Sequence, residues 1–254
     1  TRVRSSAASD VYKRQGYILA YVGFILIYIA VTMYGSFVAT GVAEEKGSRI
    51  MEILINAATP FQLMLGKVIG IGAAGLTQMA LLVVVGIGAL LLQIPLGALL
   101  LGSKATGLNI SITGASITLL VLVLIYFILG FSLYATFYAA MGALVKRQDE
   151  VQNAVQPITI VLVAGYLVNF FGVYAPNSIW MRVLSYIPFW TPMAMLVRVG
   201  VGTVAWWEIP ITIVLMIAAI FVCTFIAGRI YRFGVLMYGQ RPGLRQLFRV
   251  VRTG

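Results

Sequence analysis

Apolar and polar positions fall along this chain in long blocks rather than in short alternation. Five apolar runs stand out, at about 17–42, 68–92, 117–145, 154–173 and 207–231, each matching or exceeding the roughly 20 residues that carry a helix across a bilayer. A sixth run, 179–201, is interrupted by Arg182, Pro188, Pro192 and Arg198. Prolines break helices and guanidinium groups are costly at membrane depth, so short helices or a re-entrant hairpin are expected there, returning to the side they left. The pattern predicts an all-α fold, a polytopic transmembrane helix bundle of five spans.

Between the first two runs lies AEEKGSRIMEILINAATPFQLMLGK, residues 43–67. Ile50, Ile53, Leu54, Ala57, Ala58 and Phe61 recur at helical spacing, with Glu45, Arg49, Glu52 and Asn56 on the other side, which predicts an amphipathic helix. Glu45 with Arg49, and Arg49 with Glu52, stand at spacings that let opposite charges meet on a helix. Gly47 loosens the junction with the first span, so this helix can turn away from the membrane normal. Thr59, Pro60 and Gln62 then read as the N-cap, first helical position and capping-box partner of the next helix. A helix with one apolar face suits a headgroup layer and a protein groove equally well.

Composition makes the membrane reading hard to avoid. The 254 residues are 61% hydrophobic and 10% charged, against roughly 45–50% apolar and 25% charged in soluble domains. The formal charge is +11, yet position argues for topology rather than for nucleic-acid binding. One set of loops holds Lys46, Arg49, Lys67, Lys146, Arg147, Arg229, Arg232, Arg241, Arg245, Arg249 and Arg252; the alternate set holds Lys104, Arg182 and Arg198. The positive-inside rule therefore puts the EEKGSR loop, the KRQDE loop and the C-terminus in the cytoplasm. Trp180, Trp190, Trp206 and Trp207 all fall in or beside the last exterior segment, where indole rings favour the interface, although ordinary packing fits the same placement.

Residues 1–15 (TRVRSSAASDVYKRQ) are polar and basic, lack an initiator Met and give way abruptly to the first span at Gly16. No cleavage site follows an apolar core, so the stretch does not read as a signal peptide. It resembles translated sequencing-adapter read-through at the end of a gene fragment and is expected to be a non-native leader, with 16–254 forming the membrane domain.

The pattern EEK-x-x-R-x-x-E-x-L followed by P-x-x-L-x-x-G-K, here Glu44, Glu45, Lys46, Arg49, Glu52, Leu54, Pro60, Leu63, Gly66 and Lys67, resembles the coupling segment of type-2 ABC exporter permeases, in particular the sodium-efflux-permease-like branch. KRQDEVQNAVQP, SYIPFWTPMAMLVRVGVG and AGRIYRFGVLMYGQRP resemble the same family. Its fold has six spans, so five are expected here. The resemblance implies a membrane permease subunit of the bacterial plasma membrane, working by ATP-driven alternating access. The partners it implies are a separate ABC ATPase and a second permease subunit, in a homo- or heterodimer. Glu44, Glu45, Arg49, Ile50, Glu52, Ile53 and Leu54 are then the residues expected to contact the ATPase. ATP and Mg would be bound in that partner, with no cofactor on this chain and no chemistry performed by it. Sodium, drugs, peptides and lipids are all carried by relatives, and no residue here selects among them.

Chemistry inside the spans is sparse. There is no histidine, one cysteine (Cys223), and no Asp, Glu, Lys or Arg near the middle of any span, which argues against an intramembrane enzyme and against a charge-paired secondary carrier. A channel or secondary transporter without an ATPase is the rival reading, and it has no use for the elaborate segment 44–67. No G-x-x-x-x-G-K-[ST] phosphate loop occurs, so nucleotide would be handled elsewhere. Gln78, Tyr134, Tyr138 and Asn169 are uncharged polar groups at membrane depth: a substrate path is one reading, interhelical hydrogen bonding the commoner one. Gly66, Gly70 and Ala74 form a small-xxx-small ridge suited to close helix packing.

Overall fold

The computed structural model describes the backbone of residues 2–48, 50–101, 114–201 and 204–237, and the side chains of most of these outside 2–15 and 93–116. Arg49, Lys104, Arg241, Arg245, Arg249 and Arg252 lie outside the described residues. Among the described residues the chain is all helical: α1 Arg2–Gly47, α2 Ile50–Ala57, α3 Pro60–Leu101, α4 Gly114–Leu144, α5 Val151–Gly172, α6 Ile179–Leu184, α7 Thr191–Gly200 and α8 Glu208–Leu236, with a 3-10 turn at Gln148–Glu150 before α5. Five of them, α1, α3, α4, α5 and α8, are long and apolar enough to cross a membrane. They match the five runs read from the sequence, with residues 145, 173 and 207 falling just outside α4, α5 and α8. The α1 backbone is continuous across Gly16, where composition changes from polar to apolar.

The bundle is built around α4. Half of its most apolar stretch is buried inside the protein, against 17% in α3 and in α8, and an apolar helix without a polar face belongs in the interior. Lipid tails are as apolar as leucine, so helices in a bilayer associate through close packing at small residues rather than through hydrophobic expulsion. Two contacts show this. A Cβ on Gly142 of α4 would run into the Ala39 backbone of α1, and one on Gly234 of α8 would lie 2.7 Å from the Ala143 oxygen. On α3, Gly72 and Gly75 face Phe131, Phe127 and Tyr34. The expected ridge of Gly66, Gly70 and Ala74 is exposed instead, with nothing within 4 Å of a Cβ at either glycine.

The interrupted run 179–201 is the re-entrant segment that its prolines and arginines predict. Its helices α6 and α7 have 6 and 10 residues, roughly 9 and 15 Å of rise against a hydrocarbon layer of about 30 Å. Ser178 caps α6, its Oγ accepting from the Met181 N–H at 3.3 Å, and Pro192 falls in the first turn of α7. The connection between them dips inward. Tyr134 of α4 donates to the Phe189 carbonyl at 2.7 Å, and Trp190 Nε1 donates to the Val161 carbonyl of α5 at 3.1 Å, roughly 16 Å in from the Gly172 end of α5. Trp190 thus departs from the expected interface belt, packed edge-on at Gly165, whereas Trp180, Trp206 and Trp207 remain exposed at the helix ends. Residues 191–198 of α7 are all buried.

Burying Arg198 requires a partner, and α8 supplies it. Glu208 Oε2 sits 2.7 Å from Arg198 Nη1 with both side chains more than nine-tenths buried. Arg198 also donates to Ser185 Oγ at 2.7 Å; Glu208 Oε2 accepts from the Tyr186 hydroxyl as well, and Glu208 Oε1 accepts from the Ala205 N–H. Removing one half of a buried pair strands the other charge, whereas replacing both with apolar groups is tolerated. Glu208→Ala should therefore cost about 3–5 kcal/mol and lower the thermal-unfolding midpoint in detergent, with the double variant Arg198→Met/Glu208→Leu recovering most of it. In the same assay Gly142→Val should destabilise by at least about 1–3 kcal/mol through overpacking. Gly70→Ala, with open space around it, should be neutral or gain up to about 1 kcal/mol of helix propensity.

Candidate coupling site at one end of the bundle

The segment singled out between α1 and α3 forms a short helix held across one end of the bundle. α1 stops at Gly47, where the Ser48 N–H and Oγ both bond back to the Glu44 carbonyl at 2.9 and 2.8 Å. α3 begins as the sequence predicts. The Thr59 N–H donates to Gln62 Oε1 at 3.0 Å and the Gln62 N–H to Thr59 Oγ1 at 3.4 Å, a reciprocal capping box with Pro60 at the first helical position. These two stops leave α2 eight residues long.

The structure divides the residues assigned to this segment into two groups. Glu44 and Glu45 belong to the last turns of α1 and not to the lateral helix. Glu44 is exposed, while Glu45 Oε1 lies 2.5 Å from Lys67 Nζ of α3. The expected Glu45–Arg49 and Arg49–Glu52 pairs involve a residue outside the description. On α2 the single apolar face is also split. Met51 is fully buried and Leu54 and Ile55 half-buried against the bundle, whereas Ile50 and Ile53 stand 48% and 72% exposed beside exposed Glu52 and Asn56. Two apolar directions on one short helix explain the difference, because the spacing rule counts Ile50 and Ile53 but gives no weight to Met51, one residue off the stripe. Phe61 belongs to α3, where its ring meets Gly228 of α8.

Lys46 counts in the sequence for orientation and in the EEK pattern, but is not among the residues expected to contact the ATPase. Its side chain is buried, with 7% exposure, and its Nζ donates to the carbonyl of Ala143 at 2.5 Å and to that of Gly234 at 2.7 Å. Both carbonyls lie in the last turns of helices, α4 and α8, where C=O groups have no intrahelical partner and the helix dipole is negative. One ammonium therefore caps two helix ends. The sequence signal was a lysine directly before the glycine that ends α1.

None of the four polar groups weighed as a substrate path lines the cavity that opens between α3 and α4. Tyr34 donates to Gln78 Oε1, tying α1 to α3, and Tyr134 is used by Phe189. Tyr138 is buried with its ring over Gly35. Asn169 is buried, its Nδ2 donating to the Gly165 carbonyl at 2.8 Å while Oδ1 has no partner. Interhelical and helix-internal bonding accounts for most of these groups. That cavity, of about 260 Å³, is lined by apolar residues such as Ile69, Leu76, Phe127 and Phe131 together with Ser132. An aromatic seam that the sequence reading passed over joins α1 and α5: Tyr21 and Phe24 meet Phe170 and Tyr166, and Tyr28 lies 4.8 Å from Tyr166 between ring centroids. Its signal is aromatic spacing of three and four residues on α1 and of four on α5. Among the described residues no cluster of three His, Cys, Asp or Glu side chains could hold a metal ion.

Comparison with known proteins agrees with this architecture. The chain is 38% identical over 234 residues to the uncharacterized protein YhaP of Bacillus subtilis, covering 92% of this chain and 55% of that protein. It is 28% identical, also over 234 residues, to the uncharacterized protein MJ1024 of Methanocaldococcus jannaschii, covering 91% and 53%. It thus spans about half the length of these curated relatives. No solved structure matches it. The sequence model of the ABC-2 family transporter protein matches residues 3–229, and the chain belongs to that family of transporter membrane proteins.

Proposed function

We propose that this chain is the permease part of an ATP-driven exporter in the cell membrane, and that α2 is where a separate ABC ATPase docks. The observation that carries the proposal is the exposed pair Ile50 and Ile53 on a lateral helix whose other side is already buried in its own bundle. Burying a short helix on one side and leaving large apolar groups on the other suits insertion into a partner's groove, with Glu52 at its edge setting orientation. ATP and Mg are bound by that ATPase. Two permease chains work together, as a homo- or heterodimer, and the exposed ridge of Gly66, Gly70 and Ala74 supplies the small residues such a contact between helices uses. Substrate leaves the cytoplasm by alternating access of the two ends of the bundle.

The orientation follows from charge. Lys46, Lys67, Lys146 and Arg147 cluster at the α2 end, which puts that end and the C-terminus in the cytoplasm and the re-entrant hairpin outside. In a Cys223→Ala background, cysteines placed at Lys104 and Trp180 should react with an impermeant thiol reagent in intact cells. Cysteines at Arg49, Lys146 and Arg245 should react only after permeabilisation. Labelling of position 49 or 245 in intact cells, without labelling at 104, would reverse the topology.

Docking is tested on the full-length permease co-expressed with an ABC ATPase subunit from the same genome. Ile53→Asp removes an apolar anchor and should lower ATPase co-purification at least about tenfold, and Glu52→Lys should lower it less, with the permease still inserted. A helix lying in the headgroup layer predicts the opposite tendency for Glu52→Lys, since an added positive charge strengthens attraction to anionic lipid by about 1 kcal/mol. Unchanged co-purification and hydrolysis in both variants would remove α2 from the ATPase interface.

A further inference from the structure

α2 packs on the bundle through Met51 and Ile55 and is joined to it at its two ends, each of which is flanked by a charged contact. On one side Glu45 and Lys46 occupy the last turn of α1 directly before Gly47; on the other, Lys67 lies two turns into α3. Glu45 and Lys67, 2.5 Å apart, close the base of the α1–α2–α3 hairpin. Lys46 leaves the same turn in a different direction, about 100° round the helix from Glu45, and reaches α4 and α8. Any rotation or tilt of the end of α1 therefore moves contacts to three other helices together.

The form of the Lys46 contact is unusual for a residue that only stabilises. Among the described residues its ammonium meets no carboxylate, and its partners are main-chain oxygens of Ala143 and Gly234. Burying an unpaired ammonium is costly unless polar groups are aimed at it, and an apolar residue would fill the same space between three closely packed helices. What an apolar residue would not do is hold the ends of α4 and α8 to α1 through their backbones. Those ends already touch, since a Cβ on Gly234 would lie 2.7 Å from the Ala143 oxygen. A short, direct, charge-assisted link at this junction moves both helix ends with α1.

From this geometry we propose that Lys46 is a positioning residue that carries displacement of α2 into the ends of α4 and α8, so that ATPase motion at α2 opens or closes that end of the bundle. The proposal rests on the reading of α2 as the docking helix. It separates two roles within one charged triplet: exposed Glu44 is free for a partner, whereas Glu45 and Lys46 are turned inward as transmission.

The test uses the full-length permease with the same ABC ATPase subunit in proteoliposomes, in a Cys223→Ala background with spin labels at Gln148→Cys and Arg232→Cys. Both positions are exposed, just beyond α4 and in the last turns of α8. With Lys46 present, the inter-label distance distribution should shift between nucleotide-free and ATP–vanadate states. In Lys46→Met the shift should be lost while ATPase co-purification is retained, and Lys46→Arg should restore part of it by keeping the charge. Should Lys46→Met fail to insert, Lys46→Leu, which likewise offers the two carbonyls no donor, is read the same way. A normal shift in an inserted Lys46→Met or Lys46→Leu protein overturns the transmission role alone. Failure of all three variants to insert makes Lys46 a purely structural cap and overturns it too. No co-purification with the unsubstituted permease removes the docking reading and this inference with it, while Ile53→Asp, which should abolish co-purification without touching Lys46, tells the two failures apart.

Discussion

The hydrocarbon layer offers no water to a backbone N–H or C=O, so a chain that spans it can be irregular only where the protein itself bonds the freed groups. Several breaks among the described residues are bonded in this way. Where α4 and α8 end, the Lys46 ammonium takes the carbonyls of Ala143 and Gly234. At the start of α3, Thr59 and Gln62 satisfy each other's N–H groups. Inside the re-entrant hairpin the Phe189 carbonyl receives Tyr134, and Trp190 and Glu208 reach the Val161 carbonyl and the Ala205 N–H. Side chains that look like scattered polar residues in the sequence are the caps that let the chain turn at depth.

Several of these features were legible before any coordinates. The five spans follow from run length, the hairpin from Pro188, Pro192, Arg182 and Arg198, and the capping box from Thr59, Pro60 and Gln62, because each depends on chemistry within a few residues. Contacts between distant segments were not legible. Nothing local says that Arg198 will find Glu208, that Glu45 will choose Lys67 of α3, or that Lys46 will lie between two helices nearly one hundred and two hundred residues downstream. Helical spacing also fails in an informative way on α2. A helix eight residues long buries one residue completely, and that residue is Met51, which a stripe-based reading omits. The small-residue ridge misleads for a related reason: spacing identifies Gly66, Gly70 and Ala74 as able to pack, but only the fold decides that Gly72 and Gly75 face the protein.

The two ends of the bundle are held differently, and the difference bears on which end can move. At the hairpin end a buried ion pair is wrapped by Ser185, Tyr186 and the Ala205 N–H, and residues 191–198 are buried. Such a network is satisfied from several directions, so displacing any one member leaves others stranded. At the α2 end the charged contacts of α1 issue from two neighbouring residues of a single helix turn, Glu45 and Lys46, beside the apolar packing of Met51 and of Phe61 on Gly228. Both charged contacts would shift together, and Glu45 and Lys67 retain solvent access with side-chain exposures of 31% and 14%, so water can replace a contact that opens. On the proposed reading of α2 as the docking helix, a force applied there is passed through Glu45 and Lys46 to α3, α4 and α8, while the bonded network of the hairpin keeps the far end in register.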